Sequence, residues 1–491
     1  MSQLVRLCAD TFVRRYGECG YVTSQLFKRD RLYNETGADF LAALTRQAQS
    51  RDDLVAKLSA LYADAPLQEL TADFDEFIAD LQADGFVVTG ASASELDKRE
   101  PRFRYADATR IIEEKKTARP VLNADSATEL SDTQTVLSRL SKDTPLLFNL
   151  QVELTSVCNE RCRHCYLPPS RHQKHAETAM VRRAIDQFAE AGGLTFTFGG
   201  GECLLHPDFA ELLAHARERD LSVSILSNLT RLDDRLLSAI REARISQLQV
   251  SIYSLKVEEH DRITQVPDSL AKTRAAVEQL VASDVPVQIS CPVMRTNYRS
   301  YKDVLIWAQE RGMKAQTDFI MMARSDFTQD NLSERLNDEE TTALLQDMME
   351  ADRDYREDVE SGRDPLDADD VPIWGVGRDR LTLGADGIYF PCAGWQGFAV
   401  GDARKQSLME VWQNSPELNR VRKITKGDFP ACRECADRDY CAMCLVRNFN
   451  ESGGDMLRVA QRFCEVAHLN RVIVEDWKAA QRQAAAVPSQ P

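Results

Sequence analysis

No run of apolar residues in this 491-residue chain is long enough to cross a bilayer. The opening stretch, Met1 to Leu7, lacks the apolar core of a secretion signal, so a cytoplasmic protein with no membrane partner is expected. Positive charge is also in short supply. The 61 Lys and Arg stand against 77 Asp and Glu, a net charge of −16. That balance argues against a general nucleic-acid-binding surface and favours solubility. Residues 91–145 have little periodic apolar pattern and carry Glu113, Glu114, Lys115 and Lys116 mid-way. They read as a linker, with Ser126 to Leu140 as its most helix-like part.

What is present is cysteine, and it is clustered. Thirteen is high for a cytosolic enzyme, and the count is odd. Eight of them fall between Cys158 and Cys165 or between Cys432 and Cys464. A secreted disulfide scaffold would be short and carry a signal, so the clusters read as metal-binding. The first is Cys158-Asn-Glu-Arg-Cys162-Arg-His-Cys165. Three thiolates this close form a soft-ligand cradle suited to an iron–sulfur cluster. Three ligands for four irons leave one iron open, which makes a reactive site rather than a wire. A zinc site or three unrelated core cysteines are the other readings. The second group is Cys392, then Cys432-x2-Cys435-x5-Cys441-x2-Cys444, then Cys464. Spacing does not separate zinc from iron–sulfur there.

The surrounding pattern predicts three folded parts. In residues 1–90, Gly20 to Phe27 and Arg31 to Tyr33 read as short strands. Thr36 and Asp39 read as a capping box for a helix carrying Phe40, Leu41 and Leu44. A second helix shows Leu54, Leu58 and Leu61 on one face. A third shows Phe74, Phe77, Ile78 and Leu81 and stops at Gly85. From Phe148, strand-like runs at Phe148–Leu154, Leu194–Phe198, Leu221–Leu226, Leu248–Tyr253, Val285–Val293 and near Lys314–Ile320 alternate with helices. Six such units predict a parallel sheet with helices outside, its chemistry at the C-terminal strand ends. The cysteine loop follows the first strand. After the second comes Gly199-Gly200-Gly201-Glu202, whose glycines let the backbone approach a ligand closely. Residues 326–380 read as an acidic helical connector, 381–476 as a C-terminal domain, and 477–491 as a tail.

The Cys158, Cys162 and Cys165 signature, followed at the next strand end by Gly200, Gly201 and Glu202, resembles the radical S-adenosylmethionine (SAM) enzymes. The resemblance implies a partial (β/α)6 barrel over residues 146–325. It also implies a four-iron cluster whose open iron chelates SAM and cleaves it to a 5′-deoxyadenosyl radical. It puts Gly200, Gly201 and Glu202 near the SAM amino group, Ser227, Asn228 and Ser251 near its ribose or carboxylate, and His164 beside the adenine. Cys203 is a candidate for catalysis, although a cysteine in such a place is more often a small buried residue.

Asp386 to Cys392, with Gly401-Asp402 and Ser407 to Trp412, resembles the opening of SPASM iron–sulfur domains. That resemblance implies one auxiliary cluster on Cys432, Cys435, Cys441 and Cys464, and part of another on Cys392 and Cys444. Two departures bear on the second. Gln406 stands near the place of an expected cysteine, and Cys441-x2-Cys444 is one residue short. Residues 1–90, above all Leu32 to Ala38, resemble the winged-helix-like PqqD domain, the RiPP recognition element. Its relatives bind a leader peptide by adding a strand to a sheet edge.

The combined resemblance is to a radical SAM/SPASM peptide maturase. Expected partners are a precursor peptide and an electron donor such as flavodoxin or ferredoxin. The favoured outcome is an intramolecular crosslink. Epimerisation, for which Cys203 or Cys291 would be the hydrogen donor, is one alternative. Action on a protein or a small tetrapyrrole-like substrate is a second, and a zinc-binding scaffold a distant third.

Overall fold

The computed structural model describes all residues except 1–2, 26, 106–143, 170–173, 352–354, 357–372, 374–375, 442 and 487–491. The helix expected at Ser126–Leu140 and the acidic run Asp367 to Asp370 lie outside the described residues.

The N-terminal part contains β1 (Leu4–Leu7), β2 (Thr11–Tyr16), β3 (Cys19–Ser24), β4 (Arg29–Tyr33), α1 (Glu35–Ala43), β5 (Gln49–Ser50), α2 (Arg51–Leu61), α3 (Leu67–Ala83) and β6 (Val87–Gly90). It has two small antiparallel sheets, β5-β1-β6 and β2-β3-β4. A two-residue turn pairs Tyr16 with Cys19, and Gly17 takes the positive φ (62°) that such a turn needs. The three helices bury Phe40, Leu41, Leu54, Phe74 and Leu81 in one core. α1 is not capped as expected. Asn34 is extended, and its side chain accepts from the Gly37 N–H at 3.1 Å. Thr36 is already inside the helix, and Asp39 instead binds Arg15 and Tyr62. A short helix, α4 (Ala93–Arg99), opens the segment read as a linker.

The central sheet has nine strands in the order β12-β11-β10-β9-β8-β7-β13-β14-β15. The six expected units are β7 (Asn149–Thr155), β8 (Thr195–Gly200), β9 (Ser222–Ser227), β10 (Gln247–Ser251), β11 (Val287–Ser290) and β12 (Lys314–Gln316), all parallel. The helices between them are α5 (Thr178–Glu190), α6 (Phe209–Glu218), α7 (Asp234–Glu242), α8 (Val257–Thr264), α9 (Ser269–Ala282) and α10 (Tyr301–Gln309). The sheet is open, with β12 at one edge and β15 at the other. Alternation decides its faces. Leu150, Val152, Phe196, Phe198, Val223, Ile225, Leu248 and Val250 are fully buried in the core shared with the helices. Each such side chain contributes about 1.5–3 kcal/mol by leaving water.

The C-terminal part is α11 (Asp338–Ala351), β13 (Arg380–Leu383), β14 (Ile388–Phe390), β15 (Gly401–Asp402), α12 (Leu408–Asn414), α13 (Pro416–Arg422), α14 (Pro430–Arg433), α15 (Leu445–Ser452) and α16 (Gln461–Ala486). It is not a detached unit. β13 runs parallel to β7, pairing Leu381 with Leu150, so the hairpin extends the central sheet. The expected tail from 477 is helical through Ala486. Ile473 and Val474 of α16 are buried with Leu345 and Met349 of α11. Among the described residues no helix is long and apolar enough to cross a membrane.

Candidate active site

The cysteine loop leaves the C-terminal end of β7 and is held from three sides by main-chain bonds. Gly201 N donates to Thr155 O (2.7 Å) and Glu202 N to Val157 O (2.9 Å), joining it to the end of β8. Arg161 N and Arg163 N donate to Thr264 O and Ile263 O of α8, and Ser325 N donates to Tyr166 O. Gly200 has φ 118°, and a Cβ there would lie 2.3 Å from Thr155 O. One on Gly201 would lie 2.3 Å from Val157 O. Only glycines allow this approach.

Within the loop the three thiols face one another closely enough that each ionised sulfur would disfavour the next. Burial is the larger cause, and it pushes Cys158 up to about 12 and Cys162 well above its ordinary range. Buried thiols that resist ionisation together are the donor set a soft metal overrides, because a coordinated thiol is deprotonated outright. Polar hydrogens are already aimed at the sulfurs. Glu160 N lies 3.4 Å from Cys158 Sγ, Tyr253 Oη 3.7 Å from Cys162 Sγ, and Asn228 Nδ2 4.0 Å from Cys158 Sγ. Such contacts tune a cluster's potential. Two buried polar atoms in this loop have no partner, Glu160 Oε1 and His164 Nδ1. Burial raises the Glu160 carboxyl to about 7 and lowers His164 to about 4, so the imidazole is neutral at physiological pH. The His164 ring stands edge-on to Tyr253 at 5.0 Å.

The other residues singled out from sequence gather around this loop. Glu202 is fully buried, and burial raises its carboxyl, opposed by the hydrogen bonds it accepts. Its donors are Ser227 Oγ (2.7 Å), Asn228 N (2.7 Å) and Leu204 N (3.0 Å). The carboxylate therefore locks the end of β9 to the end of β8. Asn228 continues the lock, donating to Asn159 Oδ1 at 3.1 Å inside the cysteine loop. Ser251 ends β10 beside Tyr253 and His260. Cys203 is fully buried, and its thiol donates to Leu226 O at 3.2 Å. Cys291 is also fully buried and donates to Tyr253 O at 3.6 Å.

The six C-terminal cysteines, Cys392, Cys432, Cys435, Cys441, Cys444 and Cys464, all line one cavity of about 910 Å³. Cys432 is close to Cys435 and Cys464, and Cys392 is close to Cys444. Lys426, Arg433, Arg438 and Arg447 line the same space with Asp318 and Asp439, which pair with Arg447 and Arg438, so the lining carries a net excess of cations. That set fits an anionic thiolate-bound cluster. Gln406 is elsewhere. It is exposed, and its side chain accepts from Asp402 N.

Family models match three segments in order. They are PqqD (coenzyme PQQ synthesis protein D) over residues 32–87, the Radical SAM superfamily over 152–308, and SPASM (iron-sulfur cluster-binding domain) over 375–436. Residues 152–308 are thus a radical SAM domain and residues 375–436 a SPASM domain. The chain's relatives include an AdoMet-dependent heme synthase of Methanosarcina barkeri, 24% identical over 61% of this chain and 92% of that protein. A PqqA peptide cyclase of Gluconobacter oxydans is 26% identical over 60% and 84%. Among solved structures, Streptococcus suis SuiB bound to its precursor peptide SuiA matches 91% of this chain and 97% of its own. The TM-score is 0.58 at 14% identity, a likeness of fold. Native anSMEcpe with bound AdoMet and a peptide matches 67% of this chain and 98% of its own (TM-score 0.54, 16% identity).

Radical SAM enzymes use SAM and a four-iron cluster, and SPASM domains bind further iron–sulfur clusters. Sequence reading missed the residues that connect these two regions. Glu153, on β7 and 2% exposed, accepts from Tyr166 Oη (3.3 Å), the residue after Cys165, and from Gln396 of the turn after Cys392. Tyr166 is near both Cys165 and Cys392. The one local signal was a glutamate inside an otherwise uncharged, largely buried strand, where an unpaired charge is costly.

Proposed function

We propose that this enzyme modifies a ribosomally made precursor peptide by hydrogen abstraction and closes an intramolecular crosslink in it. The observation that carries the reading is the PqqD-like domain docked directly on the catalytic sheet. Arg14 donates to Gly193 O (2.9 Å) and Asp220 O (2.6 Å), Arg46 pairs with Asp220, and Tyr16 packs edge-on against Phe148 at 4.7 Å. A peptide held by that domain is held at high effective concentration near the sheet. The PqqA peptide cyclase relatives and the peptide-bound SuiB fold support the same substrate class.

Cys158, Cys162 and Cys165 hold the cluster that reacts with SAM. When bound, cluster and SAM supply a carbon-centred radical that takes a hydrogen atom from the peptide. The chain's own residues position and exclude. Gly200 and Gly201 bring the main chain against the cofactor. Glu202 has its carboxylate committed to Ser227, Asn228 and Leu204 and keeps that wall rigid. Neutral His164 would stand beside the adenine, and Ser227, Asn228 and Ser251 would offer hydrogen bonds to ribose and carboxylate. Cys203, with its thiol tied to Leu226 O, acts in packing; epimerisation would need such a thiol freed. Cys432, Cys435, Cys441 and Cys464 would hold an auxiliary cluster able to accept or pass electrons, with a flavodoxin or ferredoxin as the enzyme's electron donor.

The heme synthase relatives favour a second reading, action on a tetrapyrrole. The experiment is anaerobic. The reconstituted protein is reduced with dithionite and given SAM, and 5′-deoxyadenosine is followed by mass spectrometry with Cys162→Ala as control. Product from the wild type alone is expected. Product from both proteins, or none from protein shown to carry reduced clusters even with candidate precursors, would sink the proposal.

A further inference from the structure

Parallel strands covered on both sides are apolar throughout. In this sheet only the helix-covered side is. The other side carries Gln151, Thr197, Ser224 and Gln247 in register across β7, β8, β9 and β10. The next row pairs Leu226 with Gln249 and Gln249 with Gln288. The amides bond to one another. Gln247 donates to Gln288, Gln288 Nε2 to Gln316 Oε1 at 2.7 Å, and Gln316 Nε2 to Gln249 Oε1 at 3.3 Å. Gln151, Gln249 and Gln288 are half-buried, so a ligand reaches them. On β7 to β12 charge on this side is confined to two residues: Glu153 is already bound by Tyr166 and Gln396, and Lys314 stands on the edge strand β12. Arg380 of β13, paired with Asn149 on the same side, is bonded to Asp379.

We propose that this row of amides and hydroxyls is the bed for the reacting segment of the substrate. It takes an extended peptide main chain bearing uncharged side chains, and Gln151, Gln249 and Gln288 set that choice. The inference rests on the peptide reading above and narrows it. Each peptide unit brings one N–H and one C=O that need partners once water is displaced. A glutamine amide presents the matching acceptor and donors on one group and can turn to suit either. Four glutamines on the neighbouring strands β10, β11 and β12, with Gln151 on β7 beyond β9 and β8, therefore satisfy a main chain with little regard to its sequence. A charged side chain laid there would lose water and gain no counter-ion. A carboxylated tetrapyrrole would need cations, and this face offers Lys314 at its edge and Arg380, which is already bonded to Asp379.

The test uses the full-length, reconstituted protein with SAM, kept anaerobic, and a synthetic library of random decapeptides with haematoporphyrin added as a dicarboxylic tetrapyrrole. Retained molecules are identified by mass spectrometry for wild type, Gln249→Leu and Gln288→Glu, compared at matched iron content and matched circular dichroism. The wild type is expected to enrich uncharged peptides. Gln249→Leu should lower that enrichment about tenfold, the equivalent of one hydrogen bond. The near-isosteric Gln288→Glu should shift the retained set toward Lys- and Arg-containing peptides. Selection by the N-terminal domain is common to all three proteins and cancels. Identical retained sets would overturn the bed and leave peptide binding standing. Retention of haematoporphyrin in place of peptides, or of no peptide by the wild type, would overturn the peptide reading itself.

Discussion

Gly200 is where the two halves of the SAM site meet. Its φ of 118° suits glycine, and an added Cβ would sit 2.3 Å from Thr155 O, a main-chain atom that cannot move aside alone. Gly200→Ala is therefore expected to cost more than the ~1–3 kcal/mol of a strained backbone position. The cysteine loop would be displaced, and the variant should load less iron at Cys158, Cys162 and Cys165. Iron analysis and the electron paramagnetic resonance of the reduced cluster check this; wild-type values would remove the close-approach argument. A second residue gives a pH test. His260 on α8 is 1% exposed, its Nδ1 lies 3.1 Å from Ser269 Oγ, and burial lowers it to about 4 despite Asp261 nearby. The unfolded chain takes up this proton near its ordinary 6.5 and the folded chain does not, so the stability present above pH 6.5 is lost as pH falls toward 4. The loss through this one group is about 0.8 kcal/mol between pH 8 and pH 6. His260→Gln should shrink the difference in thermal midpoint between those two pH values. At this scale the sequence was readable wherever ligands lie close in the chain, as in Cys158 to Cys165. It was mute about Glu202's partners and the Glu153–Tyr166–Gln396 bridge, because those groups come from strands far apart in sequence.

Elements were legible where their period was strong. All six parallel strands, and the helices α5, α6, α7, α9 and α10, stand where the apolar runs placed them, within a few residues; β7 to β11 are buried under helices, and β12 is the exposed edge. Several features escaped, β5, β6, α4 and α8 among them. β1 has only four residues, and β2 carries Arg14 and Arg15 in its interior. Asn34 took the cap of α1 because it, not Thr36, has the extended backbone that a cap needs. Joining of β13 to β7 is a tertiary pairing with no local mark. The same contrast divides the auxiliary cysteines. On the proposed assignment Cys432, Cys435, Cys441 and Cys464 would give four thiols for one cluster, whereas Cys392 and Cys444 have Gln406 turned to solvent where a further ligand was expected. A complete second auxiliary four-iron cluster is thus not expected, and the reconstituted protein should hold about eight irons per chain. Cys435→Ala should lose about four of them and Cys444→Ala few. A count near twelve, falling on Cys444→Ala, would show that non-cysteine groups complete the second site.

Docking of the whole molecule places its two working ends apart. The N-terminal domain and its following segment touch the sheet through residues that precede strands. These are Gly193 before β8, Asp220 before β9, and Asp284 and Val285 before β11, the last two bonded to Tyr105. The cysteine loop lies past the other end of β7. Seven residues of β7 at about 3.3 Å each put roughly 20 Å between the two edges. A precursor held by the N-terminal domain must cover that distance before its reacting residue meets the radical. A fully extended chain spans at most about 3.6 Å per residue, so the spacer needs at least about six residues. Once the precursor is in hand, a deletion series in its spacer tests this. Spacers shorter than that should lose crosslinking while leader binding persists. Longer ones should lose rate gently, since doubling a flexible loop costs only about 0.6 kcal/mol. Full crosslinking across a three-residue spacer would mean that the leader binds somewhere other than the docked domain, and that the domain's place beneath the sheet serves assembly rather than delivery.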